Sequence, residues 1–168
     1  TMTNVANGLL IQNYASKTIN VKNSTISSIA IWERAGYSGV QTFNFEGTNT
    51  VGTLSTSQYA KYVLTAEGTT LTAPEGATVT TTVEDLIVKY LEGAYRLVPN
   101  VAKIGDVTYA SIQEAIDAAQ NGDEIVVLQD VTLAYEDATS YFDATYKYKS
   151  FFSVRGKTIT INLNGKKV

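Results

Sequence analysis

The 168-residue chain contains no cysteine and no histidine. Without thiolate or imidazole there are no zinc sites of the common types, no cysteine nucleophile and no Ser-His-Asp triad. Most ordinary hydrolytic machinery is thereby excluded, and no cofactor and no metal are expected. The missing cysteines leave the redox compartment open. Charge is sparse too: charged residues make up 17% of the chain, against about 25% in an average soluble domain. The net charge is −3 and no run of Lys or Arg occurs, so there is no electrostatic footprint for nucleic acid or an anionic membrane. No apolar run approaches the roughly 20 residues of a spanning helix, and no membrane insertion is expected. Thr1 opens no cleavable leader pattern, so any export signal is expected to lie outside this sequence or to have been removed.

What remains is rich in Thr, Ser, Asn, Tyr and Gly, with 44% hydrophobic residues. That is enough for a sizeable core in one domain or two small ones. A polar, β-rich, cysteine-free composition of this kind is associated with proteins outside a bacterial cell or on its surface, and that localisation is the expectation.

One helix is predicted, over Ser111 to Gln120. Ser111 and Glu114 form an S-x-x-E capping box. Ile112, Ala115, Ile116 and Ala119 make one apolar stripe, and Asn121-Gly122 supplies a left-handed stop. Glu124 to Leu128 follows as a near-continuous apolar run, expected to be a strand buried on both faces. A helix laid over a first strand would close the exposed end of a stacked β-structure.

The rest reads as strand and turn. Lys17–Lys22 and Lys157–Leu163 share the beginning Lys-Thr-Ile and alternate polar with apolar residues. Further strands are predicted at Ser28–Trp32, Val40–Phe45, Tyr59–Thr65, Thr70–Thr72, Thr78–Val83, Ile87–Tyr90 and Ala94–Val98, with Glu92-Gly93 as a hairpin turn. If one chain end is followed in space by another beginning, Ile159 and Ile19 fall about 28 positions apart, within the span of stacked repeats. The expectation is that residues 1–100 are terminal coils and closing strands, and 101–168 a helix cap and first coils of the next, or the same joined, unit.

The run VAKIGDVTYASIQEAIDAAQNGDEIVVLQDVTL, followed by KTITINLNGKKV, resembles the start of pectate-lyase-like right-handed parallel β-helix domains of large bacterial surface proteins, often arranged in tandem. ATVTTTVEDLIVKYLEGAYRLVPNVAKIGD is similar to the end of one such domain leading into another. The resemblance implies an all-β right-handed parallel β-helix with one short capping helix at 111–120. It further implies an extracellular adhesive or carbohydrate-binding role. The Tyr-rich stretch Tyr135–Lys149 departs from the compact pattern.

Three functions follow as expectations. The first is a non-catalytic structural or adhesive repeat unit, partnered by copies of itself. Its open edges would bury Ile159, Ile161 and Leu163 against Leu10, Ile19 and Val21. The second is a carbohydrate-binding module, for which Trp32, Tyr135, Tyr141, Phe142, Tyr146 and Tyr148 are the candidate aromatics facing host or environmental glycans. Against this, the aromatic insert could simply fold back as core, and Trp32, in Trp-Glu-Arg, could pack under a loop. The third is a calcium-dependent polysaccharide lyase, which would need acidic ligands and a base such as Arg155 converging; Asp123, Asp130, Asp137 and Asp143 are scattered in sequence. Thr78–Thr82 would make an ordered-water surface only if Thr recurred at one place in successive coils. Asn13, Asn23 and Asn164 are read as turn or ladder residues.

Overall fold

The computed structural model describes residues 8–134, 138–142 and 147–168. Among these residues the chain is mostly β, with several parallel sheets and one short helix, and it divides into two compact units, Thr1–Val98 and Pro99–Val168.

In the first unit the chain visits three sheets in rotation. Strands β1 (Leu9–Gln12), β2 (Lys17–Lys22) and β3 (Thr25–Ile26) are followed by β4 (Ile29–Trp32), β5 (Gln41–Glu46) and β6 (Thr48–Val51) in the same order. Each lies parallel beside its counterpart, with Leu9 opposite Ile29, Lys17 opposite Gln41 and Thr25 opposite Thr50. A third round begins with a parallel bridge from Leu54 to Ile29 and continues through β7 (Ala60–Leu64) and β8 (Thr70–Thr72). Strand β9 (Val79–Thr81) then adds to β7. The hairpin of β10 (Leu86–Leu91) and β11 (Ala94–Pro99) joins β8 antiparallel. Its turn, the predicted Glu92-Gly93, has φ of 51° and 77°, the left-handed pair of a type I′ hairpin.

Alternation along each strand decides what is inside. On β5, Gln41, Phe43 and Phe45 are buried while Thr42, Asn44 and Glu46 are half-buried on the other side. Register then stacks like on like: Ile19, Phe43 and Tyr62 form one inward column and Val21, Phe45 and Leu64 the next. Phe43 and Tyr62 stack with centroids 5.6 Å apart, and each such buried side chain contributes about 1.5–3 kcal/mol. The corners are fixed by buried amides. Asn49 Nδ2 donates to the Glu46 and Gly47 carbonyls (3.0 and 3.2 Å), while its Oδ1 accepts from Ser24 N–H one round earlier (3.0 Å). Asn13 links the carbonyl of Tyr37 and the N–H of Arg34 in the same manner.

In the second unit, β12 (Ala102–Ile104) and β13 (Val107–Tyr109) form a hairpin where no strand was expected. Helix α1 spans Ile112–Ala118, shorter than predicted. Ser111 Oγ accepts from Glu114 N–H (3.0 Å) as expected, but Glu114 reaches back to Ala110 N–H (3.2 Å) rather than to the cap itself. The helix stops before Asn121-Gly122 because Ala119 is already extended. Lys157 Nζ takes up the end carbonyls of Ile116, Asp117 and Ala119. The helix packs Ile112, Ala115 and Ile116, with Ala119 just beyond, against Ala102, Ile125 and Val127.

Strand β14 (Glu124–Val127) is buried on one face only, not two: Ile125 and Val127 are buried, Glu124 is exposed and Val126 half-buried. The aromatic insert contributes an antiparallel hairpin, β15 (Thr139–Phe142) and β16 (Lys147–Ser150). Last, β17 (Thr160–Asn162) lies parallel to β14, giving the order β13-β12-β14-β17.

Candidate assembly edges and an exposed aromatic cluster

Strands β1, β2 and β3 are the first members of their sheets, and among the described residues no strand pairs with their outer sides. Lys17 N–H donates to Val40 O (3.1 Å) and Asn23 N–H to Glu46 O (3.3 Å), so the odd residues of β2 turn their backbone groups toward β5. The alternation of a parallel ladder leaves Thr18 and Asn20 with amide and carbonyl directed at the free side. Ile19 stands half-buried on the inward face and Val21 is already buried. Leu10 does not join them. It is 65% exposed, and Leu9 and Ile11, on the opposite face of β1, pack on the core in its place.

Strand β17 is the corresponding edge of the second unit. Thr160 N–H donates to Asp123 O (2.9 Å), which directs the backbone of Ile159 and Ile161 outward, away from β14. Ile161 pairs with buried Ile125 and shares its inward face, yet is 38% exposed; Leu163 is 46% exposed, and Ile159 is half-buried on the core of α1 and β14. Among the described residues, the free side of β17 thus offers the unpaired backbone and partly uncovered side chain of Ile161, while Leu163, whose carbonyl accepts from Lys166 N–H (2.8 Å), adds an exposed side chain. Asp123 closes a turn, accepting from Gln120 N–H, and Asp130 lies in a loop and accepts from Lys167 N–H.

Trp32, 52% exposed, belongs to a cluster that its own Trp-Glu-Arg sequence only partly revealed. The Arg34 guanidinium lies 6.0 Å from the Trp32 ring and 5.0 Å from the Tyr14 ring, and Tyr14 meets Tyr37 edge-on at 4.6 Å. Tyr14 and Tyr37 are both exposed. Glu33 makes no ion pair with Arg34 among the described residues; it accepts a hydrogen bond from Ser57 Oγ. Buried Asn13 places the cluster, because its side chain ties Arg34 N–H to the Tyr37 carbonyl.

Of the other candidate aromatics, Tyr135 and Tyr146 lie outside the described residues, as do Asp137 and Asp143. Tyr141 and Phe142 are on β15, and Tyr148 pairs with Tyr141 across the hairpin. Phe152 packs on the second core while Phe151 is 39% exposed. Arg155 lines a cleft of about 390 Å³ with Gln113, Asp117 and Ser153. Among the described residues no three acidic groups converge to hold a metal, and no helix is long and apolar enough to cross a membrane. Threonines do align, though not in Thr78–Thr82: Thr25, Thr50 and Thr72 form one column, and Thr48 and Thr70 another. No protein family, curated protein or solved structure matches this chain.

Proposed function

We propose that this chain is a non-catalytic, extracellular structural or adhesive unit of right-handed parallel β-helix type. It stacks head to tail on copies of itself through open strand edges. The rotation of the chain through three parallel sheets supports the solenoid reading, and right-handed crossovers are the rule for parallel connections. The observation that carries the stacking is one of polarity. On β17 the residues that face inward are those whose backbone points to the free side. On β2 the inward residues point the other way and leave Thr18 and Asn20 to receive a neighbour. One edge therefore continues the other as a parallel ladder with the apolar faces aligned, Ile161 and Leu163 meeting the layer of Ile19, Leu9 and Ile11. Such a contact is heterologous and builds a ring or a fibre according to the rotation per unit.

Light scattering over a concentration series, with electron microscopy of the same samples, tests this. Growing mass and filaments of regular width are expected, and Ile161→Lys, which sets a charge on an inward edge position, abolishes them. A strict monomer at all concentrations ends the proposal.

The exposed cluster of Tyr14, Trp32, Arg34 and Tyr37 favours a second reading, a carbohydrate-binding module whose rings stack on sugar faces. Trp32 is the single tryptophan, so its fluorescence reports directly. Titration with soluble bacterial and plant polysaccharides should shift the emission, and Tyr14→Ala should weaken the response. A flat titration across the panel removes this reading.

A further inference from the structure

Two side-chain hydrogen bonds on the outer faces of the two units run in the same direction. In the first unit Asn44 Nδ2 donates to Asn20 Oδ1 (3.1 Å), from the later strand to the earlier. In the second, Asn162 Nδ2 donates to Glu124 Oε1 (2.8 Å), again from later to earlier. Each ladder stops at its edge strand. Asn20 Nδ2 has no acceptor among the described residues, and Asn162 Oδ1 accepts Asn164 N–H (2.9 Å) with a second lone pair to spare. A free amide donor stands on one edge and a free amide acceptor on the other.

Resting on the stacking reading above, we infer that the junction between copies is set in one register, with Ile161 of the preceding copy opposite Ile19 of the next and Asn20 donating to Asn162. Backbone polarity and the inward face admit registers two residues apart, and two of these set Ile161 against an apolar residue of β2, either Ile19 or Val21. In the first, Asn162, Asn20 and Asn44 fall in one column and Thr160, Thr18 and Thr42 in another, and Leu163 covers Val21 and Phe45. The amide ladder then runs unbroken, always from later strand to earlier, from Asn44 through Asn20 and Asn162 to the carboxylate of Glu124. In the second register Asn162 faces Lys22, whose ammonium is held by Glu46, and Leu163 falls opposite Asn23, a left-handed turn residue with φ of 47°. The repeated Lys-Thr-Ile would suggest that second register. Lys157, however, is committed to the end of α1 and is not a strand residue.

The chain has no cysteine, so single replacements report cleanly. Side chains in one column of a parallel pair have Cα atoms about 4.8 Å apart, within the disulfide range of about 4.4–6.8 Å; a two-residue offset lies beyond it. Asn20→Cys is mixed with Asn162→Cys, and separately with Thr160→Cys, under mild oxidation, and scattering of the unmodified chain is followed in parallel. At least tenfold more crosslinked dimer is expected from the Asn162→Cys mixture. In addition, Asn20→Asp, which deletes the donor and sets a carboxylate against Asn162 Oδ1, should raise the concentration at which mass grows at least fivefold. Preferential crosslinking with Thr160→Cys overturns the register and leaves the stacking reading standing. Growth of the unmodified chain with neither crosslink overturns the register and places assembly on another surface. No growth and no crosslink removes the stacking reading and this inference with it.

Discussion

Replacing Lys157 by methionine keeps a stem of similar length and deletes one positive charge. In the folded chain that ammonium donates to the carbonyls of Ile116 (2.8 Å), Asp117 (3.1 Å) and Ala119 (2.8 Å). These are end carbonyls of α1, the negative pole of the helix, whose own last turn has no basic residue. A hydrogen bond from a charged donor contributes about 1.5–3 kcal/mol, and a cation at a helix C-terminus about 0.3–1 kcal/mol. One half-buried ammonium cannot deliver three full bonds, and water replaces part of what is lost. The net cost is therefore about 2 kcal/mol, close to a thirtyfold change in an opening equilibrium. Native-state hydrogen exchange reads it directly. The amide of Ala119, bonded to Ala115 at 3.0 Å, should exchange about thirtyfold faster in Lys157→Met, while amides of β5 and β7 keep their rates. Lys61, exposed on β7, is the control, and Lys61→Met should stay within about 0.5 kcal/mol of the parent. Unchanged α1 exchange, or equal acceleration in the control, would refute the capping argument.

Three further outcomes are expected. Burial pushes the Tyr62 phenol up to about 12, while the unfolded chain titrates near 10. Stability is thus retained below pH 10 and falls between about pH 10 and 12, by on the order of 2 kcal/mol; urea midpoints at pH 9 and 11.5 should separate more in the parent than in Tyr62→Phe. Asn49→Ala leaves the Ser24 N–H without its acceptor and the Glu46 and Gly47 carbonyls without their donor, costing about 2–4 kcal/mol in urea unfolding. Gly39 approaches Ala15 so closely that an added Cβ would lie 2.3 Å from its carbonyl carbon. Gly39→Ala should lose about 1–3 kcal/mol by the same assay, whereas Ser38→Ala should lose little.

Strands with a marked alternation of polar and apolar side chains are legible in the sequence. KTINVK is β2 to the residue, the three-residue TLT is β8, and the inward set Gln41, Phe43 and Phe45 follows from period two. Strands β3 and β6 escape such reading because two to four residues of Thr, Asn and a single aliphatic look like any polar loop; what makes them strands is the neighbour stacked beside them. Lys157 belongs to the helix end and not to the expected strand, because a strand pattern cannot disclose that a side chain 38 to 41 residues from its partners caps a helix. The aromatic cluster was seen only at Trp32. Tyr14 and Tyr37 come from successive rounds of chain, and the spacing of 24 that links Asn13 to Tyr37 is readable in Thr-Ile-Asn at 18–20 and Thr-Phe-Asn at 42–44, a closer echo than the two Lys-Thr-Ile triplets.

The rounds of the first unit also shorten along the chain. Asn20 bonds to a residue 24 positions on, Phe45 to one 20 positions on, and Leu64 to one 17 positions on. Loop-closure entropy rises with the logarithm of length, so the last rounds are the cheapest to close, and the hairpin of β10 and β11 is cheaper still. Folding of this unit should accordingly nucleate near its end and zip backward, each completed strand templating the one before it. The widest round, carrying β2 and the free Asn20 edge, would then be the last to form, so a nascent copy could meet its neighbour while that edge is still being laid down.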